Sequence, residues 1–390
     1  MLLKSAFKNI LGAGKRTWLN VTVLSLTFVL MTGYNAIIDG WVEQARRDTR
    51  EWETGAGQIW HPHWDPYDLF TLQDAHGVLP QSVQTHIQNG DLTPILVVQG
   101  VIYPQGRMLN ILLKGIQPQQ RIVKIPSQEL AHHSEGEITV MMGARTAQST
   151  RLRQGDRVMV RWRDKNGAFD AQEVLISHLF ETNVPGIDAG QIWIDYAQLQ
   201  QMTNMPDEAT YLIASDACPV HADTEGWRYK DLTFLMADLD LMIRANRVET
   251  AIIFSILLAI ALLAVFDTQT LSIFRRQREI GTYVALGMQP RRVALLFTLE
   301  GTCFSLLAIV VSVVWGTPAL FWFAKTGFKM PEMVDDMGIV ISRVLYPVFN
   351  PSSMVQSILI VTGLSAVISY LPARKIARQN VVEALKGKIV

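Results

Sequence analysis

Four apolar runs decide what this chain can be. They lie at Thr17 to Ile38, about Thr250 to Ser272, Val293 to Phe323 and Ser352 to Leu371. At about 1.5 Å per helical residue, each is long enough to cross roughly 30 Å of hydrocarbon. The first is milder than the others, diluted by Thr22, Ser25, Thr27 and Thr32. It is still too long for the core of a cleaved signal peptide, and no small-residue cleavage site precedes the polar stretch that follows. The fold class expected is therefore membrane α-helical with four transmembrane helices, and the polar block between helices 1 and 2 becomes a large extracytoplasmic domain.

Charge supplies the orientation. The 35 Lys and Arg balance the 35 Asp and Glu, but fourteen of the basic residues fall in three short segments. These are Met1 to Arg16, the loop between runs two and three, and the tail after Pro372. Lys/Arg excess beside a span marks the cytoplasmic side, so all three clusters are expected to share that face, with both termini inside. The basic residues are explained by topology, and nothing points to nucleic acid. The opening LLKSAFKNILGAGKR sets Leu2, Leu3, Phe7, Ile10 and Leu11 on one helical face and Lys4, Lys8 and Lys15 on another, as an interfacial helix would.

The divisions expected are an interfacial helix at 1–16, spans at 17–38, 249–273, 293–324 and 351–372, and an extracytoplasmic domain at 39–248. A cytoplasmic loop occupies 274–292, a second outside loop 325–350, and a basic cytoplasmic tail 373–390. The domain reads as α+β. Strand-like runs lie at Ile95 to Tyr103, Met108 to Ile116, Ile138 to Met142 and Arg157 to Arg163, the last alternating. Lys165-Asn166-Gly167 supplies a hairpin turn before Ala168 to Phe180. Short helices are expected at Ala144 to Leu152 and Ala197 to Met202. Leu232 to Arg247 has helical spacing and runs into the second span without a breaker, as a stalk over 232–248 would.

Candidate sites are few. Gly12 to Thr17 imitates the end of a phosphate loop, but Asn9 and Arg16 occupy positions where that loop needs Gly and Ser or Thr. His61, His63, Asp65 and Asp68 have metal-ligand chemistry, yet Pro62 and the dense Trp60, Trp64 and Tyr67 read better as an aromatic packing loop. No metal site and no catalytic residue is expected. Asp267 and Glu300 are ionisable groups inside spans two and three; pairing with nearby arginines is preferred to a proton pathway. Cys218 and Cys303 fall in different environments, so no disulfide framework is read. Trp52, Trp60, Trp64, Tyr67 and Phe70 form a candidate cargo surface, because Trp and Tyr combine an apolar body with a polar edge.

The most informative segment is RRQREIGTYVALGMQPRR, between spans two and three. Its centre can form an amphipathic turn closed by Gly287, with Pro290 blocking simple continuation. Together with the opening AFKNILGAGKRTWLNVTVLSL and the close YLPARKIARQNVVEALKG, it resembles the FtsX-like/MacB-type (type VII) ABC transporter permease family. The absence of a nucleotide-binding segment sides with the stand-alone permeases of LolC/LolE-like layout. One departure is Asp267, where relatives often carry a neutral amide. The resemblance implies that Arg278, Glu279, Ile280, Gly281, Ala285, Leu286, Gly287 and Arg291 form an ATPase-coupling helix, with Ile280, Val284 and Leu286 as its apolar anchor. It implies a tail contribution from Pro372, Ala373 and Arg374.

It further implies a bacterial inner-membrane subunit that binds no cofactor itself, with ATP and Mg on a partner ATPase. A second permease, identical or paralogous, would pair through spans one and two, where Gly33 and Ala36 permit close approach. Membrane lipids and a periplasmic carrier or adaptor are further expected partners. The implied function is mechanotransmission for lipoprotein or lipid release, or envelope cargo transport. The alternatives are MacB-like efflux with a periplasmic adaptor, or FtsX-like regulation of an envelope hydrolase or sensor.

Overall fold

A computed structural model describes residues 15–131, 137–219, 223–329, 340–342 and 344–377. The expected interfacial helix and most of the basic tail lie outside the described residues. The chain divides into two compact units, one built from residues 1–42, 243–329 and 344–390, the other from 43–242 and 330–343.

The first unit is helical. Among the described residues, four helices are long and apolar enough to cross a membrane: Lys15–Thr49, Ala237–Arg275, Pro290–Thr326 and Pro351–Ala377. The expected spans fall inside them, but the helices overrun them. The first continues to Thr49, because nothing between Ile38 and Thr49 breaks a helix. The stalk is interrupted once: Leu232–Leu235 forms its own turn, capped by the Asp231 carboxylate, and Met236 leaves helical geometry before the second span helix begins.

Inside this unit the spans are joined by small residues and hydroxyls. Ser312 donates to the Ser25 side chain at 2.9 Å, and Trp315 Nε1 donates to the same oxygen at 2.8 Å. A Cβ on Gly301 would lie 2.1 Å from Ser369 Oγ, so spans three and four cross there at backbone distance. Gly33 and Ala36 were expected at a dimer seam. Within the chain, Gly33 lies against Leu320 of span three, and Ala36 is buried with its carbonyl accepting from Val348 N.

The second unit is α+β. Its main sheet holds β1 (Gly57–Trp60), β3 (Leu92–Ile102), β4 (Leu109–Ile116), β5 (Ile138–Gly143), β6 (Arg157–Arg163), β7 (Phe169–Phe180), β8 (Gln191–Asp195), β10 (Tyr211–Ala214) and β11 (Arg228–Lys230). The short β2 (Gly77–Val78) and β9 (Glu208–Ala209) pair separately. Strand order is β11-β1-β10-β3-β4-β8-β5-β7-β6, and an added β3–β6 pairing closes six strands into a ring. The β4–β8 and β5–β7 pairs are parallel and the others antiparallel.

The middle of the sheet is buried on both faces, while β6 leaves alternate residues exposed. Leu96 and Val98 of β3 join one apolar cluster, while Ile95 and Val97 join another that contains Trp60, Ile116, Trp193 and Tyr211. The expected strands and both short helices are present within a few residues, the helices as Ala144–Thr150 and Tyr196–Thr203.

Candidate functional site: the elbow between spans two and three

The basic loop folds into a helix, Gln277–Ala285. Leu286 ends it, Gly287 takes φ +90°, and Pro290 begins the third span helix. A positive φ of this kind suits glycine, which has no Cβ to strain. Gly287 faces open space: a Cβ there would meet nothing within 4 Å.

The helix divides its residues by face. Ile280 is buried with Ile273 of span two, Val293, Ala294 and Phe297 of span three, and Ala373 of span four. Gly281 is buried beside it, while Tyr283, Val284 and Met288 are half-buried around the same cluster. Arg278, Glu279, Ala285, Leu286, Gly287 and Arg291 are exposed, with Leu286 at 81%. The apolar anchor read from the sequence is thus split. Ile280 turns inward and fixes the helix to its own unit; Leu286 alone of the three stands fully outward. The reason is periodic: positions 280 and 284 share a helical face, whereas 286 lies beyond the last turn. In the tail, Pro372 and Ala373 are buried and Arg374 is exposed.

Sequence reading missed Arg276. Its guanidinium donates to both Glu300 oxygens, at 3.1 and 3.0 Å, and to Glu279 at 2.7 Å. It also lies over the Phe297 ring, 5.1 Å from the centroid. The planar fork therefore ties the start of the elbow helix to a carboxylate buried in span three. This is the arginine pairing expected of Glu300. Asp267, expected to behave likewise, is exposed on its helix. The signal was present as adjacent arginines, but nothing in the sequence says which one turns inward.

In the second unit, the structure brings together three of the five aromatic candidates. Trp60, Trp64 and Tyr67 line one cavity of about 590 Å³ with Tyr211 and Phe234. Trp64 stacks on Tyr211 at 5.8 Å, and Trp60 meets Phe234 edge-on at 5.7 Å. Trp52 lies elsewhere, stacked on Phe180, and Phe70 is 95% exposed. The His61 ring packs edge-on against His63 and Trp227, as a packing loop would have it. The Tyr67 hydroxyl donates to Asp238, which holds its pKa up near 12.

A further cavity of about 510 Å³ lies within the helical unit, lined by spans one, two and four. One part is polar, with Asn35, Asp39, Arg247 and Gln356; the other is apolar, with Leu258, Leu262, Ile360 and Leu364.

Residues 251–381 match the family of FtsX-like permease C-terminal domains. Over 94% of its length the chain is 20% identical to the lipoprotein-releasing system transmembrane protein LolC of Xylella fastidiosa, covering 91% of that protein. It is 26% identical to the ABC transporter permease YtrF of Bacillus subtilis, over 54% of this chain and 43% of that one. It is also 26% identical to the macrolide export ATP-binding/permease protein MacB of Wolinella succinogenes, over 43% and 24% of the two chains. Four spans among the described residues, a mixed-sheet domain between the first and second, the matched third and these relatives support an ABC transporter permease of the FtsX/MacB type.

Proposed function

We propose that this permease subunit transmits the movement of a separate ABC ATPase to its inserted domain, and that the elbow helix Gln277–Ala285 is the coupling element. The observation carrying this reading is the division of that helix. Leu286 and the arginines face outward, while Ile280 and Arg276 hold the inward face to spans two, three and four. A force applied at Leu286 then reaches three spans through one packed cluster. ATP and Mg belong to the partner ATPase, and this chain contributes no catalytic group. On this reading the elbow and both termini lie in the cytoplasm of a bacterial inner membrane and the inserted domain is periplasmic, an orientation supported by the Lys/Arg excess beside the spans. Two permeases, identical or paralogous, complete the unit.

For cargo, release of a lipoprotein or lipid is favoured over efflux through an adaptor or regulation of a hydrolase. The cavity within the spans is apolar at one part and polar at the other, which suits acyl chains with a polar head. LolC, matched over nearly its whole length, is by its name part of a lipoprotein-releasing system.

The test uses the permease copurified with its cognate ATPase in nanodiscs. Glu279→Lys reverses the exposed charge beside Arg276, and Gly287→Val puts a branched side chain at φ +90°. Both are expected to lose the ATPase from the complex or to lower stimulated hydrolysis at least tenfold. Wild-type retention and turnover in both would reject the elbow as the coupling element. A photocrosslinker at Gln356 should recover an acylated protein or lipid; recovery of only a periplasmic adaptor or hydrolase would replace the cargo reading.

A further inference from the structure

The aromatic cavity of the inserted domain contains two opposite charges that do not meet. Lys114 projects from β4, otherwise apolar over Ile111 to Ile116, and is only 8% exposed. Glu53 lies in the helical turn Arg50–Thr54 before β1. Both line the same 590 Å³ space. Among the described residues neither side chain has a direct hydrogen-bond or ion-pair partner, although each feels the other's charge. The Lys114 ammonium lies 5.3 Å from the centre of the Trp193 ring, a contact that stabilises its charge without a counter-ion. The Glu53 carboxylate rests against the Cα of Gly186, where an added Cβ would come within 2.9 Å of its oxygen.

Buried charges are ordinarily paired or neutralised, since removing an ion from water is costly unless a counter-charge returns the energy. Here the chain supplies an acid and a base to one chamber and leaves them apart. Burial pushes the Lys114 ammonium down to about 8, opposed by the Glu53 charge, so the amine remains largely protonated at neutral pH. Burial pushes the Glu53 carboxyl above its usual range, opposed by Lys114. The chamber's lining joins the rings of Trp60, Trp64, Tyr67, Tyr211 and Phe234 to the charged side chains of Asp65, Arg228, Lys230 and Asp238, and its volume is that of a small-ligand site. Cations also occur on β11: Lys230 sits 4.0 Å from the Phe234 ring centre and 5.5 Å from that of Trp60.

We propose that this cavity binds a small zwitterion with an apolar side group, a short peptide or free amino acid, its ammonium directed to Glu53 and its anionic end to Lys114. Such a ligand brings no net charge, supplies the buried Lys114 and the half-buried Glu53 with their missing partners, and lays its side group against Trp60, Trp64 and Tyr211. A phosphoethanolamine headgroup shares the zwitterionic chemistry but lacks the apolar side group that the ring-lined wall accommodates. The inference does not depend on the cargo or coupling readings, because binding is measured on the permease without its ATPase.

The experiment is isothermal titration of the full chain in phosphatidylglycerol nanodiscs with three probes. These are the dipeptide Leu-Phe, its N-acetylated and C-amidated form, and glycerophosphoethanolamine. Leu-Phe is expected to bind, with the capped form at least tenfold weaker. Glu53→Gln and Lys114→Met are each expected to weaken Leu-Phe at least tenfold. Gly186→Ala, which displaces the Glu53 side chain without changing any charge, should weaken it several-fold. Wild-type affinity should fall as pH rises from 7 to 9, because Lys114 loses its proton through about 8 and the dipeptide's own amino group deprotonates over the same range; in Lys114→Met the fall should be shallower. Tighter binding of glycerophosphoethanolamine with the same dependence on Glu53 and Lys114 would keep the zwitterion site and move its source to lipid. Equal binding of free and capped peptide, binding indifferent to both charge variants, or no binding by any probe would overturn the proposal.

Discussion

Two acid–base sets in this chain are each built on one buried charge, Glu300 and Lys114, and they are arranged in opposite ways. In the helical unit, Arg276 donates from Nη1 to both Glu300 oxygens and from Nε to Glu279. In the inserted domain, Glu53 and Lys114 share a chamber and stay apart. The first set is closed: its charges answer one another, so it works as a mechanical tie. The second is open: its charges are held ready by aromatic walls, so it works as a receptor. The contrast separates a residue that transmits force from one that recognises a ligand, although both are conspicuous as charges away from water.

Breaking the closed set should have the largest effect. Arg276→Ala leaves Glu300 buried without its partner, and a loss of about 3 kcal/mol in stability is expected. Replacing both partners, as in Arg276→Met with Glu300→Leu, should recover most of that loss, since the buried charge is gone. Thermal unfolding of the purified chain in detergent measures both. A single variant as stable as the wild type would mean that the tie is slack.

The open set should respond in the other direction. Lys114→Met removes an unpaired buried charge and is expected to stabilise the chain by about 1–3 kcal/mol. Its pH signature follows from linkage. The folded pKa, about 8, lies below the ordinary 10.5. Between those values the unfolded chain binds more protons, so wild-type stability should climb as pH rises through the window. In Lys114→Met the climb should be absent. Unfolding midpoints measured across pH 7 to 10.5 decide it, and a flat wild-type profile would show that Lys114 is not held as described.

The smallest effects concern slack around each set. Gly301→Ala would drive a Cβ into Ser369 at a helix crossing, and about 1–3 kcal/mol of destabilisation is expected. Gly186→Ala meets only the movable end of Glu53 and should cost under about 1 kcal/mol. If the two alanines cost the same, the distinction between a closed and an open interior fails.

What the sequence disclosed depended on periodicity. Arg157 to Arg163 alternates in residue type, and its burial alternates in register with it. The long apolar runs were as plain, because crossing lipid requires a length no other element needs. By contrast, β8 and β10 are four or five residues buried on both faces, with no alternation to announce them. The cavity was illegible for another reason. Trp60 and Trp64 are distant in sequence from Tyr211 and Phe234, and no local rule reports which rings converge. Lys114 did leave a trace, a lone cation in ILLKGI, but only the fold shows that it faces a chamber. For the elbow, the motif marked the segment, while the inward turn of Ile280 and Arg276 required the packing of three spans to be known.

The pairing of β1 has a consequence in time. Its partners are β10 and β11, so Gly57 to Trp60 pair with residues roughly 150 or more positions later. Loop closure over such a length precedes any reward from contact, which makes this part of the sheet slow to assemble. During synthesis, β1 leaves the ribosome with neither neighbour yet made, as an unpaired edge next to an aromatic loop. The chamber can close only after the chain has been extended past Lys230. Premature termination anywhere before that point would yield a product whose Trp60 and Trp64 are exposed and whose receptor does not exist, a species suited to capture by chaperones or proteases.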